Sequence, residues 1–123
     1  MSWDPQIASV TGAGFKASIY KIETGDAYTT DQIKMTPEEV KMGEKAVKEG
    51  AAGCPEARIA GETFMVLRND EDMCYFKKKG CGGGCFGKTK DLLVAGRYEE
   101  GQQAGQLNDL VGKVVLHLKS SGY

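Results

Sequence analysis

Apolar positions along the chain change their period several times, and each change marks an element. Trp3, Ile7 and Val10 stand at i, i+4 and i+7, so Met1 to Val10 predicts a short helix lying on something larger. Thr11-Gly12-Ala13-Gly14 ends it. Phe15 to Ile22 alternates apolar and polar residues around Ile19 and Tyr20, Thr24-Gly25-Asp26 supplies turn chemistry, and Ala27-Tyr28-Thr29-Thr30 follows, which predicts a hairpin. Thr36-Pro37-Glu38-Glu39 is a helix start: Thr36 is the N-cap, Pro37 fits the first helical position, and two carboxylates favour the positive end of the dipole. Val40, Ala46 and Val47 line one face until Gly50 stops the helix.

Beyond Cys54-Pro55 the pattern becomes that of strands. Ile59, a turn at Ala60-Gly61-Glu62, then Thr63 to Leu67 reads as a strand, and Met73 to Phe76 as another. Residues 77–90 (KKKGCGGGCFGKTK) are rich in Gly and Lys and predict a loop with one short strand around Cys85-Phe86. Asp91 to Tyr98 is a buried strand. From Gly105 to Ser121, the residues Leu107, Leu110, Val111, Val114, Val115 and Leu118 recur at helical spacing, with Lys119 in the last turn, so an amphipathic helix closes the fold. The order is α+β, with the two terminal helices free to share one face of an antiparallel sheet.

A length of 123 residues fits one domain over residues 1–123, able to bury roughly two-thirds of its unfolded surface. With 16 basic and 17 acidic residues and a pI near 5.9, the chain has no global positive field to hold nucleic acid. Any attraction for anions is local. MSWDPQIASV has neither a basic leader region nor an apolar run, so a cytosolic protein with reduced thiols at Cys54, Cys74, Cys81 and Cys85 is expected.

Three features invite a site. Gly82 to Thr89 (GGGCFGKT) satisfies G-x-x-x-x-G-K-[ST], but a phosphate-cradling loop follows a buried strand and opens a helix. Here a lysine run precedes it and strand-like DLLVAGRY follows. Cys74, Cys81, Cys85 and the lone His117 could supply a zinc set, yet their spacing lacks the usual two close pairs, and no metal is expected. Lys77, Lys78, Lys79, Lys88 and Lys90 fit either a solvated edge that discourages strand pairing or an anion-facing patch for an acidic protein or a phosphoinositide headgroup. No nucleophile and base can be paired from spacing, so no enzyme and no cofactor are expected.

Several segments resemble profilin, in the profilin order: Ser2-Trp3-Asp4-Pro5, Phe64 to Arg68 through Lys78-Lys79-Gly80 and Gly82-Gly83 to Lys88-Thr89, Arg97 to Glu100 through Gly105-Gln106-Leu107-Asn108, and His117-Leu118 to Tyr123. The resemblance implies a central antiparallel sheet with the terminal helices on one side and smaller helices on the other. It implies an aromatic cleft for proline-rich partners at Trp3, Tyr28, His117, Leu118 and Tyr123, and an actin-monomer face at Arg68, Lys78, Lys79, Gly105, Asn108 and Lys113. The cleft has independent logic, since a polyproline helix has no internal hydrogen bonds and its rings suit flat aromatic faces. Two departures weaken the expected grip on proline: Gln6 stands where many profilins have an aromatic, and Tyr28 where a tryptophan is common. Asp109 interrupts the basic series of the actin face. A cytoplasmic, cytoskeleton-associated adaptor that promotes nucleotide exchange on actin is the function implied.

Overall fold

The computed structural model describes residues 3–123. Met1 and Ser2, with which the opening helix is expected to begin, lie outside the described residues. A 3-10 turn over Asp4–Ile7, with Pro5 in its first positions, runs into the one-turn helix α1 (Ala8–Thr11) and buries Ile7 and Val10. Strand β1 (Lys16–Lys21) follows, then helix α2 (Pro37–Gly53). Strands β2 (Glu56–Ile59), β3 (Glu62–Asp70), β4 (Met73–Lys78), β5 (Gly82–Lys88) and β6 (Leu92–Tyr98) lead to helix α3 (Ala104–Ser120). The six strands form one antiparallel sheet in the order β1-β6-β5-β4-β3-β2.

The predicted start of α2 is a complete capping box: the Thr36 hydroxyl accepts from Glu39 N–H at 3.2 Å, and the Glu39 carboxylate accepts from Thr36 N–H at 2.9 Å. Glu39 is also buried and accepts from the Ala60 and Gly61 amides at 3.0 and 2.9 Å, which ties the helix start to the β2–β3 turn. At the other end Gly50 leaves the helical region (φ 66°, ψ −164°), as its position predicts. The freed Val47 carbonyl accepts from Asn69 Nδ2 of β3 at 3.0 Å.

Strand alternation sorts the core into two layers. Phe64, Val66, Cys74, Phe76, Phe86, Leu93 and Ala95 face α2. Ile19, Cys85, Leu92 and Val94 face the other way, where α3 contributes Leu107, Val111, Val114, Val115 and Leu118 beside Ile7 and Val10 of the N-terminal segment. The two terminal helices therefore share one side of the sheet and α2 takes the other, the α+β arrangement expected.

Two expectations are corrected. The Gly-rich stretch is no loop: Gly82 to Lys88 is a full strand, laddered to β4 on one side and β6 on the other. Its glycines admit close neighbours, since a Cβ at Gly87 would overlap Val115 Cγ2 of α3. The predicted hairpin is only half formed. Beyond the isolated Tyr20–Ala27 bridge, residues 28–33 follow the edge of β1 without a ladder, because side chains take over the pairing. Thr29 Oγ1 accepts from Ile19 N–H at 3.1 Å, Gln32 Oε1 from Ala17 N–H at 3.2 Å, and Ser18 Oγ from the Gln32 and Ile33 amides.

All four cysteines carry free thiols. Burial pushes the Cys74 thiol up to about 12, and burial also raises Cys85 and Cys54. Cys81, in the β4–β5 turn, is partly exposed. Since the thiolate is the reacting form, iodoacetamide at pH 8 should label Cys81 first and reach Cys54, Cys74 and Cys85 only on unfolding, read by mass spectrometry of peptides. Glu39→Ala should lower the urea-unfolding free energy by roughly 2 kcal/mol, because it removes the charged acceptor shared by the Thr36, Ala60 and Gly61 amides, whereas Glu39→Gln, which keeps an acceptor oxygen, should cost less.

Candidate functional site

Trp3 lies at the centre of an aromatic cluster drawn from three distant segments. Its ring meets Tyr28 edge-on at 5.0 Å between centroids and 62° between planes, and Tyr123 at 4.8 Å and 71°. Each ring is fixed through its backbone. Trp3 N–H donates to Tyr28 O at 2.9 Å, Tyr28 N–H to Ile19 O at 2.8 Å, and Tyr123 N–H to Leu118 O at 3.0 Å. Asp91 N–H reaches Tyr123 O at 3.3 Å, so the chain end is tied to the β5–β6 connection. Trp3 and Tyr28 are half-buried against the α3-side core while Tyr123 is exposed. The cluster thus presents ring edges and faces to solvent on a fixed base. Of the residues expected to join it, His117 is exposed on α3, and Leu118 is 1% exposed, so its side chain supports the cleft from below. Gln6 is half-buried and its backbone N–H donates to Trp3 O at 2.8 Å.

A second surface lies beside α3. The helix packs on β5 and β6, and β3 extends past it with Met65 62% and Leu67 49% exposed. Leu116 of α3 is 68% exposed. Between α3 and the β3–β4 turn runs a groove of about 580 Å³ lined by Met73, Tyr75, Asn108, Asp109, Lys113 and Leu116 among others. Arg68 reaches its rim, 4.6 Å from the Tyr75 ring centroid and 3.9 Å from Asp70 Oδ2. Burial raises the Tyr75 phenol, the Asp70 carboxylate adds to this and the Arg68 guanidinium opposes it. Lys119 pairs with Asp72 and pins the end of α3 to the same turn.

The structure therefore brings Arg68, Asn108 and Lys113 of the expected actin set together, with Gly105 exposed at the start of the same helix. Lys78 is elsewhere. It pairs with Glu62 at 3.3 Å, and Glu62 also meets Arg97, whose guanidinium covers Phe64 on the α2 side of the sheet. Lys79 stands in the β4–β5 turn. Met65, Leu67, Tyr75 and Leu116 are missing from the sequence-based set. Their signal is alternation: Met65 and Leu67 have the opposite parity to the core residues Phe64 and Val66.

The lysines expected to form one anionic-lipid patch are divided. Lys77, Lys78 and Lys79 lie at one end of β5 and Lys88 and Lys90 at the other, about 20 Å of strand apart. Lys88 is further engaged by Glu44 at 3.9 Å and by Thr89 O at 3.2 Å. The nucleotide-loop motif is overturned as well: the amides of Gly82 to Lys88 belong to a strand paired on both sides, which removes them from any phosphate cradle. Cys74 and Cys85 project to opposite faces of the sheet, so the cysteines do not gather, and no cluster of three or more potential metal ligands exists among the described residues. No helix among them is long and apolar enough to cross a membrane.

The sequence matches the profilin family over residues 1–123. It is 31% identical over 140 residues to a profilin of Strongylocentrotus purpuratus, covering 98% of both chains. The fold is similar to Acanthamoeba castellanii profilin IB, with a TM-score of 0.79 at 25% identity, covering 98% of this chain and 95% of that one. It is also similar to mouse profilin IIa in complex with a double repeat from the FH1 domain of mDia1 (TM-score 0.75, 20% identity, all of both chains). A LokiProfilin2 complex with rabbit actin contains a further similar chain (TM-score 0.77, 14% identity, 96% of this chain and 97% of that one). With the aromatic cluster joining the chain ends, the α3 groove beside an uncovered β3, and a match along the whole sequence, the chain belongs to the profilin family.

Proposed function

We propose that this protein binds actin monomers through the face formed by α3, β3 and β4, and holds proline-rich segments of filament-assembly factors in the Trp3–Tyr28–Tyr123 cluster. The observation that carries the reading is the groove between α3 and β4, with the exposed face of β3 beyond it. Leu116 lines the groove together with Asn108 and Lys113, Arg68 lies over the Tyr75 ring at its rim, and Met65 and Leu67 stand exposed on β3 beyond β4. An apolar centre with a polar rim is the anatomy of a protein-binding surface. The actin complex of one similar chain and the FH1 complex of another support the choice of partners.

The mechanism is stoichiometric. The apolar and basic elements of the first surface occupy one face of the monomer, and the aromatic cluster, on separate residues, remains available for a polyproline helix whose prolines stack on the rings. One molecule then links a monomer to a filament-assembly factor with no covalent step. Tyr28 and Gln6 leave less ring area than a tryptophan and an aromatic would, so the cluster grips proline less strongly than one carrying those rings. The reading places the protein in the cytoplasm with the monomer pool.

The single tryptophan makes the cluster its own reporter. Titration with decaproline should give a saturable change in Trp3 emission that is lost in Tyr123→Ala. Monomer binding, measured by slowed filament growth and by sedimentation, should persist in Tyr123→Ala and weaken roughly tenfold in Leu116→Asp, which places a charge in the apolar centre. Wild-type filament growth in the presence of the protein would overturn the actin assignment, and an unchanged Trp3 spectrum at saturating decaproline would overturn the cleft.

A further inference from the structure

Asp4 opens the 3-10 turn, and its carboxylate reaches a residue 26 positions away in sequence: Thr30 N–H donates to Oδ1 at 2.6 Å and the Thr30 hydroxyl to Oδ2 at 2.7 Å. Both are charge-assisted bonds to one carboxylate. Immediately before it, Trp3 N–H donates to Tyr28 O. The segment carrying one ring of the cluster is therefore stapled to the segment carrying the next at two successive points. These bonds lie at the surface, where water competes, so their contribution to global stability is small. Their geometric effect is larger. Tyr28 is held by Ile19 and Tyr123 by Leu118, both buried in the core, whereas Trp3 precedes the first helical turn, where Gln6 N–H bonds its carbonyl, and its link to the sheet edge runs through Tyr28 and, from the adjacent Asp4, Thr30.

We infer that Asp4 is a positioning residue: with Thr30 it clamps the N-terminal segment so that Trp3 holds its edge-to-face contact with Tyr28 before a proline-rich segment arrives. The inference rests on reading the aromatic cluster as the proline site. A rigid pair of rings loses less conformational entropy on binding than a mobile one, so the clamp acts on affinity through preorganisation, without touching the ligand. Because the carboxylate bonds an amide and a hydroxyl of one residue, serine at position 30 preserves both bonds while valine removes one.

A double-mutant cycle of Asp4→Ala and Thr30→Val tests this, with Thr30→Ser as the conservative variant. Three quantities are measured: decaproline Kd, acrylamide quenching of Trp3 in the free protein, and actin-monomer affinity alongside the melting temperature. Asp4→Ala is expected to raise the Kd roughly five- to tenfold and Thr30→Val by less, with the double variant no worse than Asp4→Ala. Trp3 quenching should increase in parallel, Thr30→Ser should match wild type, and actin affinity and melting temperature should stay unchanged. Wild-type quenching and Kd in Asp4→Ala, fully additive effects, or a parallel loss of melting temperature and actin affinity would each overturn the clamp. Should the wild-type chain not bind decaproline, the proline-site reading falls, and the quenching cycle on the free protein still decides whether Asp4 and Thr30 hold Trp3 in place.

Discussion

The seat of α3 on the sheet depends on two places where side chains are absent. A Cβ at Gly87 would overlap Val115, and one at Gly96 would stand 2.8 Å from Val111 Cγ2 and 3.0 Å from Leu107 Cδ1. The helix can lie close over β5 and β6 only because these positions are bare, and close approach is what buries Leu107, Val111, Val115 and Leu118 together. Both surfaces follow from that seat. The far end of α3 delivers Tyr123 to Trp3, and its outer side forms one wall of the groove with Asn108, Lys113 and Leu116. Any shift of the helix would move both at once.

What could be read in advance divides along physical lines. Local chemistry was legible: the Thr36–Glu39 box, the stop at Gly50, and the apolar stripe of α3 each depend on residues within a few positions of one another. Nonlocal packing was not. Glycine disfavours strands, so GCGGGCFG read as a loop, and nothing near it in sequence reports that Val115 lies above Gly87. The second half of the hairpin failed for a related reason, since hydroxyl and amide side chains of Thr29 and Gln32 replaced backbone partners.

The site shows the same division. Trp3, Tyr28 and Tyr123 were selected by resemblance to a family and by the chemistry of proline recognition, and they do meet. The basic residues of the second surface were selected without regard to the direction in which each points. Lys78 shares the parity of Phe76, so it belongs to the α2 side, and alternation alone could have shown this. Arg68 is different: a register shift between Val66 and Arg68 places it opposite Tyr75, and such an irregularity leaves no mark in the sequence.

The side-chain pairing along β1 has a consequence beyond the local hydrogen bonds. β1 is an outer strand, and its outward amides at Ala17, Ile19 and Lys21 are all satisfied within the chain, by Gln32, Thr29 and Asp26. The opposite outer strand, β2, is only four residues long and exposes Glu56 and Arg58. Neither margin offers a long template on which a second molecule could add a strand. Crowding of like molecules is the condition under which open sheet margins lead to aggregation. Thr29 and Gln32 thereby withhold two outward amides of β1 from pairing with a second chain.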